Sequence, residues 1–467
     1  MIKRSIKNVL LINRTQTDGG FLVVRTRSSR MKRVEPLGLE YLAAILKRAG
    51  RHGTVLDEAL DPDAVENLPR TVAGGDVDAV GFYTNDGITS TVVADIERLR
   101  AEGCELPILV GGPASSEPAP FLDAGADIAV IGEGEVTLLE VIQWLEGERE
   151  KVTLRGVAWK EGDEVHFAPD QTLIKDLDTL PYPDRTHAGI WDYYDRWYPV
   201  ARQPFTTAMM ARGCPYRCTF CSSPFHWGKQ VRTRSVESAL DEMAFLVRER
   251  QARFVSFKDD IFGLKPDWLE AFCQGMIERK IELRWSCNFE PRSAQRDPER
   301  IVALMRRAGC AAIVIGLQAV HPDTLREVSR RPNDPDYVDK LIQAGKRNGI
   351  MTVVELIFGL PKSTWDGDEM ALSWARDVKP HFAGIYSLIQ IPGSPILQEY
   401  QHAEVSAHQD NSSAREHARV ASRRFHTDPR QLLEVARFVA KENPRWFLGI
   451  ARDIPALLER VGVQLPA

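Results

Sequence analysis

Ala211-Arg212-Gly213-Cys214-Pro215-Tyr216-Arg217-Cys218-Thr219-Phe220-Cys221 carries three of the chain's seven cysteines, spaced C-x3-C-x2-C. The apolar run Thr206 to Met210 before it reads as a buried strand, so one tight loop at a strand's end delivers all three thiols. Soft thiolates gathered this way suit an iron–sulfur cluster or zinc. Structural zinc asks for a fourth ligand, and a four-cysteine cluster for a fourth thiolate. No second C-x2-C follows downstream. Three thiolates on a cluster would leave one iron open to a substrate. The other readings are three ordinary cysteines, or a zinc loop completed by a distant ligand.

Beyond this loop, strand-like and helix-like runs alternate. Phe254 to Phe257 ends in Lys258-Asp259-Asp260, Arg284 to Cys287 in Asn288, Ala312 to Ile315 in Gly316-Leu317-Gln318, and Met351 to Val354 in Glu355. A last run, Ile385 to Ile389, precedes Pro392-Gly-Ser-Pro395. Helices are predicted over 236–251, 268–280, 297–308 and 335–348. Residues 206–400 therefore read as a partial (βα)6 TIM barrel, whose site lies at the C-terminal ends of its strands. The polar clusters fall at those ends. A carboxylate pair such as Asp259-Asp260 is unusual in a core without a partner, which favours function for it. Asn288, Gln318 and Glu355 are either ligand-binding or strand-end hydrogen-bonding residues. Cys273, Cys287 and Cys310 read as packing.

Ahead of the barrel, residues 1–148 alternate in the same way. Short apolar runs at Asn8–Ile12, Thr54–Leu56, Ala79–Tyr83, Pro107–Val110 and Ile128–Ile131 alternate with helical stretches at 37–49 and 88–102, the pattern of a doubly wound parallel sheet. Its strand ends carry Asn85-Asp86-Gly87, Gly111-Gly112-Pro113 and Gly132-Glu133-Gly134-Glu135. Ligands of such sheets bind at that edge. Glycine there either lets a ligand approach the backbone or serves the turn alone. A basic loop (Arg25, Arg27, Arg30, Lys32, Arg33) reads first as a solvated charge run. Residues 149–205 form a linker with a Pro-rich stretch and an aromatic segment, Trp191 to Tyr198, expected to pack between domains. Residues 401–467 form a charged helical segment expected to cover the barrel mouth and shape the substrate pocket; its scattered histidines are not proposed as a metal site.

The 467 residues are globular in composition, 43% hydrophobic and 27% charged, enough for two or three domains. A net charge of −5 gives no global basic field that would call for nucleic acid. No apolar run reaches the ~18 residues of a membrane span. The N-terminus has no secretory pattern and the cysteines no disulfide framework, so the chain is expected in the cytoplasm.

The cysteine motif, including the aromatic Phe220 before its last thiol, resembles that of the radical SAM superfamily. The resemblance implies a [4Fe–4S] cluster held by Cys214, Cys218 and Cys221, with S-adenosylmethionine (SAM) on the open iron. One electron then cleaves SAM to methionine and a 5′-deoxyadenosyl radical, which takes hydrogen from an unactivated carbon. Phe220, Asp259, Asn288 and Gln318 would contact the cofactor, Asp259 and Asp260 sitting where the family meets the methionyl amino group. Asp259, Asp260 and Glu355 are the candidate catalytic groups. Gln318 departs from the Glu common in the family's similar Gly-Ile-Glu-Ser stretch, which weakens any proton-transfer role there. Residues 1–148 resemble the cobalamin-binding-type domain that precedes many such cores, with Gly111, Gly112, Gly132 and Gly134 as binding positions. The Asp-x-His-x-x-Gly signature is absent; Asp18-Gly19-Gly20 offers no imidazole. The implied reaction is cobalamin-dependent methylation of a small natural product. The alternative is radical dehydration of an amino sugar, as in the similar diol-dehydratases of aminoglycoside biosynthesis, with a vestigial cobalamin domain. A flavodoxin- or ferredoxin-type donor, or a partner reductase, would supply the electron.

Overall fold

The computed structural model of the chain describes residues 5–15, 32–195, 199–328, 333–389, 394–396 and 411–444. Asp18-Gly19-Gly20, Arg25, Arg27, Arg30, His402, His408 and residues 445–467 lie outside them, as do Pro392 and Gly393.

Five parallel strands, Asn8–Asn13 (β1), His52–Asp57 (β2), Ala79–Tyr83 (β3), Ile108–Gly111 (β4) and Ile128–Val130 (β5), build the first sheet. The hairpin Val157–Glu161 (β6) and Glu164–Phe167 (β7) extends it antiparallel, in the order β2-β1-β3-β4-β5-β6-β7. Leu10 and Ile12 pack on one face with Phe82 and Val110, while Val9 and Leu11 pack on the other with Leu46 and Ile142. Burial on both faces is why these strands read as unbroken apolar runs. The sheet continues past residue 148, so the stretch read as linker opens with two of its strands. Their outer positions are exposed, which hides them from an apolar-run reading. Strand order reverses between β1 and β3, the switch point at which such sheets bind ligands.

The second sheet holds six parallel strands: Phe205–Ala208 (β8), Phe254–Phe257 (β9), Arg284–Asn288 (β10), Cys310–Gln318 (β11), Met351–Phe358 (β12) and Phe382–Ser387 (β13), in sequence order. This is the expected partial barrel. Four of its helices start on capping side chains, Ser235, Asp297, Asp334 and Thr364, each accepting from a first-turn N–H. Outward-facing Val255, Phe257, Trp285, Ile313, Val354 and Ile385 pack on the helices in one large core. The last strand begins three residues before the predicted run. Leu388, just beyond its end, packs in the apolar cluster at the mouth, and an apolar run does not distinguish strand from mouth lining.

The C-terminal helices correct one expectation. Asn411–His426 lays Ala418, Ala421 and Phe425 on the outer face of β12 and β13 as the barrel's last helix. Pro429–Glu442 crosses the opposite end from the mouth. There Phe438 and Val439 join Phe205, Phe254, Ala312 and Met351 in an apolar floor. Amphipathic spacing shows that a helix has an apolar face but not which surface it meets. The described C-terminal helices therefore floor and flank the barrel rather than cover its mouth.

Candidate active site

β8 ends at Ala208, and Ala211–Arg212 then pairs antiparallel with Arg232–Thr233. This two-residue ladder is the neck of a loop, 213–231, that holds all three cysteines. Gly213 stands at the neck at φ +95°, where a side chain would collide with the Gln230 carbonyl. The loop arches across the barrel mouth: Thr219 N–H donates to the Val328 carbonyl (3.0 Å), and Phe220 packs with Ala319, Leu325, Ile357 and Leu360 beyond the far strands. Phe220 is thus a packing anchor for the loop. Cys214 and Cys218 are buried, and Cys221 is half-buried. Burial pushes the Cys214 thiol up to about 12, with Cys221, Asp260 and Cys218 adding to the shift. Three thiols and a carboxylate therefore share one neighbourhood. Among the described residues no three His, Cys, Asp or Glu side chains converge on a single metal ion. A four-iron cube carries its thiolates at separate corners, so this donor set fits a cluster better than zinc.

The acidic pair at the end of β9 divides its work. Asp259 is 1% exposed and accepts from the N–H groups of Met210 (3.1 Å) and Ala211. It pins the chain between β8 and the cysteine loop. Burial pushes its carboxyl up to about 7 against the pull of those N–H groups. Asp260 points the other way. Its Oδ1 accepts from Ser223 Oγ (2.9 Å), while its buried Oδ2 has no partner among the described residues. An acceptor left open beside Cys214 fits a cationic donor such as an ammonium group. Of the pair, Asp260 is the one available to a cofactor.

The remaining strand ends differ. Asn288 is exposed and its Nδ2 donates to the Asp259 carbonyl (3.2 Å). Gln318 is buried at φ +70°, after a register shift in β11. Glu355 lies opposite Gly316 on β11 and Gly384 on β13. The Tyr386 hydroxyl folds over Gly384, 2.8 Å from where a Cβ would stand, and hydrogen-bonds Glu355. Burial and that carboxylate raise the Tyr386 pKa. Tyr386, absent from the sequence-based site, stands two residues beyond Gly384, the register partner of Glu355, a pairing that sequence alone does not give.

On the facing edge of the first sheet, the glycines serve the chain's own packing. A Cβ on Gly112 would stand 2.5 Å from the Thr84 carbonyl, one on Gly134 3.2 Å from Leu42, and one on Gly132 would collide with Gln171. Gly111 alone sits in ordinary contact, 3.8 Å from Val130. The feature that fits a ligand here is Thr84, at the end of β3 and the switch point, whose fully buried hydroxyl has no partner among the described residues. The two edges meet at Glu133 and Glu135. Glu133 accepts from Arg212 (3.1 Å) and Arg232 (2.7 Å), and Glu135 from Arg212. Burial opposes the Arg212 charge, but Glu135 and Glu133 outweigh it and raise its pKa.

Residues 209–375 match the model of the Radical SAM superfamily, and residues 27–142 that of the B12 binding domain. The chain is a radical SAM enzyme. More narrowly, it is one with a cobalamin-binding domain ahead of the barrel, and the two domains imply a [4Fe–4S] cluster, SAM and cobalamin as its cofactors. It is 26% identical over 392 residues to an uncharacterized methyltransferase of Pyrococcus horikoshii, covering 81% of this chain and 82% of that protein. It is 24% identical over 418 residues to the cytidylyl-2-hydroxyethylphosphonate methyltransferase of Streptomyces wedmorensis, covering 78% and 77%. The fold is shared with the radical SAM methyltransferase TsrM of Kitasatospora setae (TM-score 0.68, 20% identity, 84% of this chain and 75% of that one). It is shared also with the cobalamin-dependent radical SAM enzyme OxsB (TM-score 0.70, 14% identity, 97% and 75%). No helix among the described residues is long and apolar enough to cross a membrane.

Proposed function

We propose that this enzyme transfers a methyl group to an unactivated carbon of a small molecule, after abstracting hydrogen from it. The observation that carries the reading is the buried contact of Glu133 and Glu135 with Arg212 and Arg232, which holds the cobalamin-binding edge against the cysteine loop. Methyl transfer needs these two cofactors within reach of one substrate, and the relatives named as methyltransferases point the same way. Bound together, the cluster and SAM supply a 5′-deoxyadenosyl radical and cobalamin carries the methyl group. Cys214, Cys218 and Cys221 would hold the cluster, and Asp260 Oδ2 would take the amino group of SAM. Thr84 would meet a polar group of cobalamin. Asp259 keeps the cysteine loop in place. Glu355 and Tyr386 would meet a hydroxyl or ammonium group of the substrate, with Asn288 and Gln318 at the rim. Seven free thiols suit a reducing compartment such as the cytoplasm, where a flavodoxin- or ferredoxin-type donor is at hand.

The test is anaerobic. Reconstituted protein is titrated with cobalamin, reduced, and given SAM. Stoichiometric cobalamin binding and release of S-adenosylhomocysteine support methyl transfer. Formation of 5′-deoxyadenosine without either would sink it and return elimination chemistry, with amino sugars as substrates, to first place. These relatives lend that alternative no support.

A further inference from the structure

The neck of the cysteine loop poses an electrostatic problem. Arg212 and Arg232 stand directly opposite each other across a two-residue antiparallel ladder, where like charges repel. Both are buried, at 4% and 6% exposure. Left alone, two desolvated guanidiniums would push apart the strands that close the loop.

Glu133 answers this from the other domain. It is 2% exposed, and its Oε1 accepts from both guanidiniums at once. Its Oε2 accepts the Ile174 N–H (2.7 Å), and the Ile174 carbonyl accepts in turn from Arg232 (2.7 Å). Arg232 also donates to the Trp227 carbonyl (2.7 Å), within the loop. Among the described residues Glu135 reaches only Arg212, whose guanidinium also lies near the rings of Tyr41 (5.6 Å) and Trp227 (4.9 Å). Two acids thus balance two bases, and one of the acids bridges both sides of the neck.

We propose that Glu133 is a positioning residue for the iron–sulfur cluster: by joining Arg212 to Arg232 it fixes the spacing at which Cys214, Cys218 and Cys221 are presented. The cobalamin-binding domain thereby shapes the cluster site as well as holding its own cofactor. The inference rests on the cluster assignment, which the iron content of the unaltered protein tests separately.

The experiment uses full-length Glu133→Gln, which keeps the side chain's shape and removes its charge, beside Glu133→Asp and Glu135→Gln. Iron and sulfide per chain are measured after anaerobic reconstitution. The paramagnetic resonance spectrum of the reduced cluster is recorded with and without SAM, and thermal unfolding is followed in parallel. Folded Glu133→Gln should load iron more weakly, on the order of 10-fold in affinity, as when groups supporting metal ligands are lost. It should also lose the spectral change on adding SAM. Glu133→Asp should recover part of both, and Glu135→Gln should keep most of both. Full loading with an unchanged SAM response in Glu133→Gln overturns the proposal. If that variant does not fold, Arg232→Gln is compared with Arg232→Gln combined with Glu133→Gln. A double variant no worse than the single supports the bridge, and a double variant that loads less iron than the single, or does not fold, overturns it. An unaltered chain that takes up no iron overturns the cluster assignment and the proposal with it.

Discussion

The two ends of the barrel are built from the same six strands and solve opposite problems. At the floor, Phe205 stacks on Phe254 with ring centroids 6.0 Å apart, and Met351 and Phe438 fill in around them. At the mouth stand Asp259, Asp260, Asn288, Gln318 and Glu355; the first three are held by backbone N–H groups, a backbone carbonyl and the Ser223 hydroxyl. The floor's cohesion is mainly apolar, with Glu442 pairing Arg284 and Arg306 at its edge, and is indifferent to what binds above. The mouth is assembled from polar groups that balance one another, and Asp260 is left with an open acceptor for a ligand. Stability and chemistry are therefore separable along one set of strands.

Four measurements can break or sharpen that contrast. The largest effect belongs to the mouth: replacing Cys214, Cys218 and Cys221 together by alanine should abolish cluster binding and SAM cleavage while the unfolding midpoint stays near that of the cluster-free protein. SAM cleavage by the triple variant would refute the site. At the floor the reverse is expected. Phe254→Ala should cost about 4 kcal/mol of stability in denaturant unfolding. Any protein that remains folded should still load iron, and a selective loss of the cluster would show that the two ends are coupled.

The floor also has a pH signature. His381 is 1% exposed, accepts the Thr352 N–H (3.0 Å) and packs on Phe438. Burial, aided by Lys346, lowers its pKa from 6.5 to about 4. The unfolded chain then binds a proton between those values that the folded chain refuses. The stabilisation is complete above the unfolded pKa and is lost as pH falls toward 4, by about 2 kcal/mol at pH 5. His381→Gln should flatten the stability profile between pH 7 and 5, and an unchanged slope would exclude His381 as its source. The smallest effect is Tyr386→Phe, which deletes one hydroxyl beside Glu355 and should change stability by about 1 kcal/mol or less. If Glu355 and Tyr386 face the substrate, KM should rise for a polar substrate with iron content unchanged. An unaltered KM would confine the pair to structure.

Much of this was legible in the chain. β3 and β9 occupy Ala79–Tyr83 and Phe254–Phe257 as expected, because strands buried on both faces leave an uninterrupted apolar signature. The cysteine loop was legible because its chemistry is concentrated within a few residues. What depends on distant partners was not. Glu133 meets Arg212 and Arg232 across 79 and 99 positions, and in sequence it looks like part of a glycine turn. Asp259 and Asp260 are chemically identical neighbours whose roles separate only once Met210, Ala211 and Ser223 are in place. The glycines at 112, 132 and 134 read equally well as ligand cradle or tight packing, and their neighbours are the chain's own atoms.

The position of the floor helix has a consequence for how the protein is made. Phe438 and Val439 seal the underside of strands that leave the ribosome long before them, and Glu442 alone bridges Arg284 (3.5 Å) and Arg306 (2.5 Å) there. The first sheet can close as soon as its own strands emerge, since domains fold in the order of synthesis. The barrel cannot: until residues 429–442 arrive, its lower rim exposes aromatic rings to water. A nascent chain stalled short of that helix would be a target for chaperones and proteases, and a truncation that spares every group at the mouth would still yield an unstable protein.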